Sequence, residues 1–141
     1  MREISPRNSP CYCINLKRAT NSITKFYDKK LEEIGLTVSQ FSLLNDIKFM
    51  ETCSKAELAE YAKLDRSTIT RNLKILRERG YIADLSSNDS RDSQISLTDL
   101  GRKKIESSNL LWEEAQKYVK EKVGSDNIKQ LRKILDIIEN I

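Results

Sequence analysis

The sequence contains no histidine. That removes the commonest general base, the usual activator of a nucleophilic hydroxyl or thiol, and the commonest metal ligand. Glycine is scarce as well: Gly35, Gly80, Gly101 and Gly124 stand singly where helices should end or begin, so no glycine-rich loop exists to cradle a phosphate. On these absences the chain offers no catalytic residues, no metal site and no cofactor, and the enzyme class is set aside. No apolar run approaches the ~18 residues of a membrane span, and residues 1–13 lack the apolar middle of a secretory leader. The expectation is a cytoplasmic protein with no membrane partner. The three cysteines, Cys11, Cys13 and Cys53, then read as thiols rather than disulfides.

With 141 residues, 38% hydrophobic and 33% charged, the chain can build one modest core. The net charge of +4 does not by itself demand a nucleic acid, so the clustering of positive charge has to decide. Residues 1–9 show no periodicity and read as a flexible arm. From 10 to 34, Leu16, Ala19, Ile23, Phe26, Tyr27, Leu31 and Ile34 recur every three or four residues, the stripe of a long helix that Gly35 stops.

Thr37-Val-Ser-Gln40 and Ser54-Lys-Ala-Glu57 are capping boxes. The first opens a helix through Phe41, Leu43, Leu44 and Ile47; the second opens a short one with Leu58, Ala59 and Ala62 inward. After a turn at Lys63-Leu64, Asp65 is a good N-cap for a helix ending at Gly80. Tyr81-Ile82-Ala83 and Gln94-Ile95-Ser96-Leu97 flank a polar stretch with the composition of an exposed hairpin tip. Thr98 caps a helix to about Val123. Beyond Gly124-Ser125 a last helix carries Ile128, Leu131, Leu135 and Ile138, its apolar face widened by Ile134, Ile137 and Ile141.

This order of elements is the layout of a winged helix-turn-helix, which presents one helix and one hairpin tip to duplex DNA. The expected fold class is mainly α with a small β-hairpin wing (α+β). Residues 1–9 form an arm, 10–36 an N-terminal dimerisation helix, 37–100 the winged DNA-binding domain and 101–141 C-terminal dimerisation helices. At 100° per residue, Ile69, Leu73 and Leu76 fall within about 60° of each other on the core side. Ser67, Arg71 and Lys74 point the opposite way, with Thr68 and Thr70 on the flanks.

Short hydroxyls allow close approach to DNA, and the Arg71 fork suits guanine N7 and O6 or a phosphate. The helix N-terminus itself favours a phosphate. Arg77 and Arg79, nearer the far end, complement the helix dipole or touch the backbone. In the hairpin tip, Ser86 to Asp92, Arg91 is the only cation, placed to enter a minor groove. Asp89 shares its strand face and is set to orient it.

The run Asp65-Arg-Ser-Thr-Ile-Thr-Arg71, with Leu73, Leu76 and Arg79-Gly80-Tyr81-Ile82, resembles the recognition helix of the MarR family of bacterial regulators. Asp89-Ser-Arg91 followed by Leu97-Thr98-Asp-Leu-Gly101 is similar to that family's wing signature. In element order the resemblance extends over about residues 11–141; its specific motifs occupy 65–101. It implies a homodimeric repressor, less often an activator, on a pseudo-palindrome of double-stranded DNA. Ser67, Thr68, Thr70 and Arg71 would contact the major groove and Arg91 the minor groove. The tip departs from the family in being more acidic, with Asp89 and Asp92 bracketing Arg91.

A winged core of residues 37–97 cannot cover the apolar stripes of both terminal helices. Leu16, Ile23, Ile128, Leu131, Leu135 and Ile138 are therefore expected at a homodimer interface. Cys11 and Cys13 begin the first helix, where its dipole, Lys17 and Arg18 favour a thiolate. Cys13-x-x-Leu16-x-x-Ala19, with Tyr27, resembles the organic-peroxide-sensing branch of the family, in which a thiol near the start of the first helix is oxidised and DNA is released. Lys17 and Val38 stand where that branch carries tyrosines. The alternative for both cysteines is simple packing; zinc lacks four ligands in one chain.

The function expected is a DNA-binding regulator released by a small-molecule effector or a thiol signal. The alternatives are a winged-helix protein-interaction module without DNA affinity and a thiol-based redox or metal sensor.

Overall fold

A computed structural model of the chain describes residues 9–85 and 94–141. Among these residues the order is α1 (Tyr12–Leu31), a 3-10 turn (Glu32–Ile34), α2 (Val38–Met50), β1 (Thr52–Cys53), α3 (Lys55–Ala62), α4 (Arg66–Glu78), β2 (Ile82–Asp84), β3 (Ile95–Leu97), α5 (Asp99–Val123) and α6 (Ser125–Glu139). Among the described residues no helix is long and apolar enough to cross a membrane.

Helix starts follow local chemistry. Gln40 N donates to Thr37 Oγ1 and Thr37 N donates to Gln40 Oε1, both at 3.1 Å, closing the first capping box. Ser54 and Glu57 close the second in the same way. Each box satisfies two backbone donors that the helix cannot serve itself. The chain leaves the 3-10 turn through Gly35 at φ +71°, a left-handed residue where a side chain would be strained.

The sheet is antiparallel in the order β1-β3-β2. Ile82 faces Leu97 and Ala83 faces Ser96 across the hairpin, while Cys53 faces Ile95 on the other edge. Sequence patterning implies only the hairpin. The third strand has two residues, too few to show alternation, and it is held by pairing with a partner distant in sequence.

The core gathers around α2. Leu44 and Ile47 pack with Leu58 of α3, Ile69 and Leu76 of α4, Cys53, Ile95 and Ile105 of α5, all essentially without solvent contact. The α1 stripe divides: Tyr27 and Leu31 are buried, whereas Leu16 and Ile23 are 37% and 41% exposed. Its C-terminal half is fastened to α5 by the Phe26–Tyr118 stack at 4.8 Å, a Tyr27 hydroxyl bond to Gln116, and the Lys30–Glu114 ion pair at 2.9 Å. None of the residues of α6 is buried.

Cys53 is the thiol this core encloses. Burial first, and then the nearby Glu57 and Asp46 carboxylates, push it up to about 11 from 9.0. Because the folded value lies above the unfolded one, its contribution to stability is complete below pH 9 and is lost as pH rises through 11. The expected outcome is that Cys53 resists a thiol reagent at pH 8 until the chain unfolds, and that urea stability declines between pH 9 and 11. Native-state labelling of Cys53 as fast as a free thiol would contradict this.

Candidate nucleic-acid interface

The surface of interest is the outer face of α4. Ile69, Leu73 and Leu76 are buried to 2% exposure or less, which fixes the helix rotation. Ser67, Thr70, Arg71 and Lys74 are consequently exposed and Thr68 is half-buried on the flank. One contiguous strip thus offers three hydroxyls, a guanidinium and an ammonium.

The start of α4 is tightly organised. Asp65 accepts from Thr68 N at 3.3 Å and also from the Ser67 and Thr68 hydroxyls. These bonds, led by the two hydroxyls, hold its carboxyl down at about 2. The N-terminal end of the helix, expected from sequence to attract a phosphate, is thereby filled by the chain's own anion. Thr70 Oγ1 donates to the Arg66 carbonyl at 2.7 Å, and Arg71 Nη2 reaches Thr68 Oγ1 at 3.5 Å.

The far end of α4 is structural. Arg77 grips Asp84 of β2 through Nε and Nη2 at 2.8 and 3.3 Å, tying the helix to the base of the wing. Arg79 donates to the Gly35 carbonyl, pinning the turn that follows α1. Sequence reasoning assigned both arginines to the dipole or to DNA. Their partners lie on other elements, so no local pattern announces them. Arg71 and Lys74 form no ion pair among the described residues.

Asp89 and Arg91, nominated in the wing tip, lie outside the described residues. The wing base is built from β2, β3 and the start of α5. Thr98 caps α5 by accepting from Gly101 N at 3.0 Å, while its hydroxyl donates to the Gly80 carbonyl at 2.6 Å.

Cys11 and Cys13 are exposed at the start of α1. Cys13 lines an open cleft of about 640 Å³ with Leu16 and Lys17 of α1 and with Ile138 and Ile141 at the end of the chain. Tyr27 lies fourteen residues further along the helix, about 21 Å away, so it does not reach the Cys13 thiol of its own chain. Among the described residues no group of three or more Cys, Asp or Glu side chains is arranged to hold a metal.

The sequence model of the MarR family matches residues 34–92. The chain is similar to YdcH, an HTH-type transcriptional regulator of Bacillus subtilis: 32% identical over 106 residues, spanning 71% of this chain and 70% of YdcH. This chain belongs to the MarR family. Against other curated HTH-type regulators of Bacillus it spans about 62% of their length.

The fold of this MarR-family chain superimposes on CouR, a transcriptional repressor bound to a 23-mer DNA duplex, with a TM-score of 0.81 and 25% identity over 92% of each chain. It also matches the transcriptional regulator MosR of Mycobacterium tuberculosis in complex with DNA, with a TM-score of 0.75 and 28% identity over 92% of this chain and 97% of that one. Family and fold are those of DNA-binding transcriptional regulators, not of enzymes.

Proposed function

We propose that this MarR-family chain acts as a homodimeric repressor on a pseudo-palindromic duplex operator. Residues 37–100 form the reading domain, and residues 10–36 and 101–141 the arms that join two copies. The observation that carries the reading is α4: one face locked into the core, the other presenting Ser67, Thr68, Thr70, Arg71 and Lys74 outward. DNA-bound relatives of the same fold support it. α4 enters the major groove, Arg71 and Lys74 meet bases and phosphates, and Arg91 of the wing, oriented by Asp89, enters the minor groove.

Two copies are favoured by the apolar surface that one chain leaves open. Leu16 and Ile23 of α1, with Ile128, Leu131, Leu135 and Ile138 of α6, are exposed or half-buried. Full burial is worth roughly 1.5–3 kcal/mol per large aliphatic side chain, so a few of them suffice for association. The twofold sets the two α4 helices about 34 Å apart, one turn of DNA.

A gel-shift salt series tests the whole reading. A DNA binder loses affinity steeply as salt rises, because phosphate contacts release counterions. Binding that is absent at low salt would favour a protein-interaction module instead. The double substitution Leu131→Glu and Leu135→Glu is expected to give a folded monomer by light scattering at micromolar concentration, with operator affinity reduced at least tenfold, since each half-site then binds alone.

The signal acts through the arms. A small-molecule effector or oxidation of Cys13 changes the spacing of the two heads by binding the two arrangements unequally. Cys13 is exposed beside Lys17, against the same Leu16 and Ile138 that serve the proposed dimer contact. Cys13→Ser is expected to abolish any peroxide-induced loss of DNA binding. Oxidised wild type that binds the operator unchanged would remove the thiol signal from the proposal.

A further inference from the structure

The outer face of α4 carries three hydroxyls, and the partner of each dictates where its proton points. Ser67 Oγ and Thr68 Oγ1 both bond to the Asp65 carboxylate, and Thr70 Oγ1 lies 2.7 Å from the Arg66 carbonyl oxygen. A carboxylate and a carbonyl can only accept, so in all three bonds the hydroxyl is the donor. Asp65 is ionised at neutral pH, its carboxyl being held at about 2. Every hydroxyl has one proton, and each is turned back onto the helix that carries it. Oxygen lone pairs and threonine methyl groups are what remain to face a duplex.

We infer that Asp65 is a specificity-determining residue: by holding the hydroxyl protons of Ser67 and Thr68 it makes both side chains acceptors, which select amino bases over keto bases in the major groove. The inference rests on the DNA-binding reading above. In that groove adenine N6 and cytosine N4 donate, whereas guanine N7 and O6 and thymine O4 accept.

To serve a guanine or a thymine, Ser67 would have to exchange a charged acceptor for a neutral one, and bonds to charged groups are roughly twice as strong. To serve a phosphate, it would bring a second anion against Asp65, a like-charge contact that opposes the exchange. Arg71 Nη2 already approaches Thr68 Oγ1 at 3.5 Å, so Ser67 holds the freer oxygen and is the sharper probe. Asp65 touches no base in this scheme. It positions the protons of the residues that do.

The test starts from duplexes selected out of a random pool by the full wild-type chain. The base that Ser67 reads is the one whose preference relaxes in Ser67→Ala. It is expected to be adenine or cytosine on the strand facing the helix. Replacing it by the same base without its amino group (purine for adenine, 2-pyrimidinone for cytosine) is expected to weaken wild-type binding about 3–10-fold and to leave Ser67→Ala unaffected.

Asp65→Ser keeps a capping oxygen but removes the carboxylate, and is expected to move the preference at that position toward guanine or thymine. The analogue duplexes need no variant at Asp65, so the inference stays testable if that variant folds poorly. A guanine or thymine preference in the wild type, indifference to the missing amino group, or a Ser67→Ala variant that relaxes no position would overturn the inference while leaving DNA binding intact. Failure to enrich any duplex would overturn the DNA-binding reading itself, and this inference with it.

Discussion

Arg71→Ala is expected to weaken operator binding about 10–100-fold and to flatten the base preference at one position of each half-site, while the melting temperature stays within about 1 °C. The side chain is exposed, and among the described residues its one hydrogen bond, to Thr68, lies at the limit of hydrogen-bond reach. Its removal therefore leaves no buried group unsatisfied. A bidentate fork on guanine is the contact that side chain suits, and losing it costs discrimination rather than bulk attraction. Lys74→Ala is the informative contrast, because losing a point charge from a phosphate lowers affinity evenly across sequences and reduces the salt slope by about one per subunit. Anisotropy titrations of operator and scrambled duplex at three salt concentrations separate the two behaviours. Equal weakening on both duplexes by Arg71→Ala would place Arg71 on the backbone instead of a base.

Gly101→Ala is expected to cost about 3 kcal/mol and to lower the melting temperature by about 10 °C. A Cβ at this position would stand 2.1 Å from the Tyr81 carbonyl oxygen and 3.3 Å from Leu97 Cδ2. The first neighbour cannot step aside. Tyr81 O accepts from Thr98 N at 3.1 Å, and Tyr81 N donates to Leu76 O at 3.0 Å, so moving that peptide disturbs the end of α4 and the start of α5 together. Gly101 is helical, and its requirement is space rather than an unusual backbone angle. Circular dichroism melts of the two proteins decide it; an unchanged transition would mean that the wing base has room to part. Because Tyr81 joins the end of α4 to the start of α5 beside the hairpin strands, and the proposed function sets α4 against the duplex, the variant is expected to lose operator affinity even where it remains folded.

Much of the molecule was legible from residues within one helical turn of each other. Thr37, Ser54, Asp65 and Thr98 were all readable as N-caps, and each accepts the backbone bond that defines the role. The 3.6-residue period placed Ile69, Leu73 and Leu76 on the buried side of α4, and hence its polar face outward. Asp65 was legible as a cap, but its bonds to the Ser67 and Thr68 hydroxyls depend on rotamers that only the folded turn selects. The two arginines at the far end of α4 are exposed, like Arg71, and look alike to it in sequence. Only the proximity of Asp84 and the Gly35 carbonyl separates them.

The periodic stripe of the first helix shows the same division. Sequence treats Leu16, Ile23, Tyr27 and Leu31 as one face. In the fold, α5 and α2 cover the last two and leave the first two open, because the helix runs past the edge of the core. Caps, breakers and hydrophobic period are short-range properties of the chain, and by themselves they determined the order, ends and facing of the helices, and the winged plan they compose. The β1–β3 pairing, the Arg77–Asp84 clamp, the closeness of Gly101 to Tyr81 and the split of the α1 stripe were decided only by tertiary structure. Each joins segments whose meeting depends on how the whole core closes, and no local pattern of residues encodes that distance.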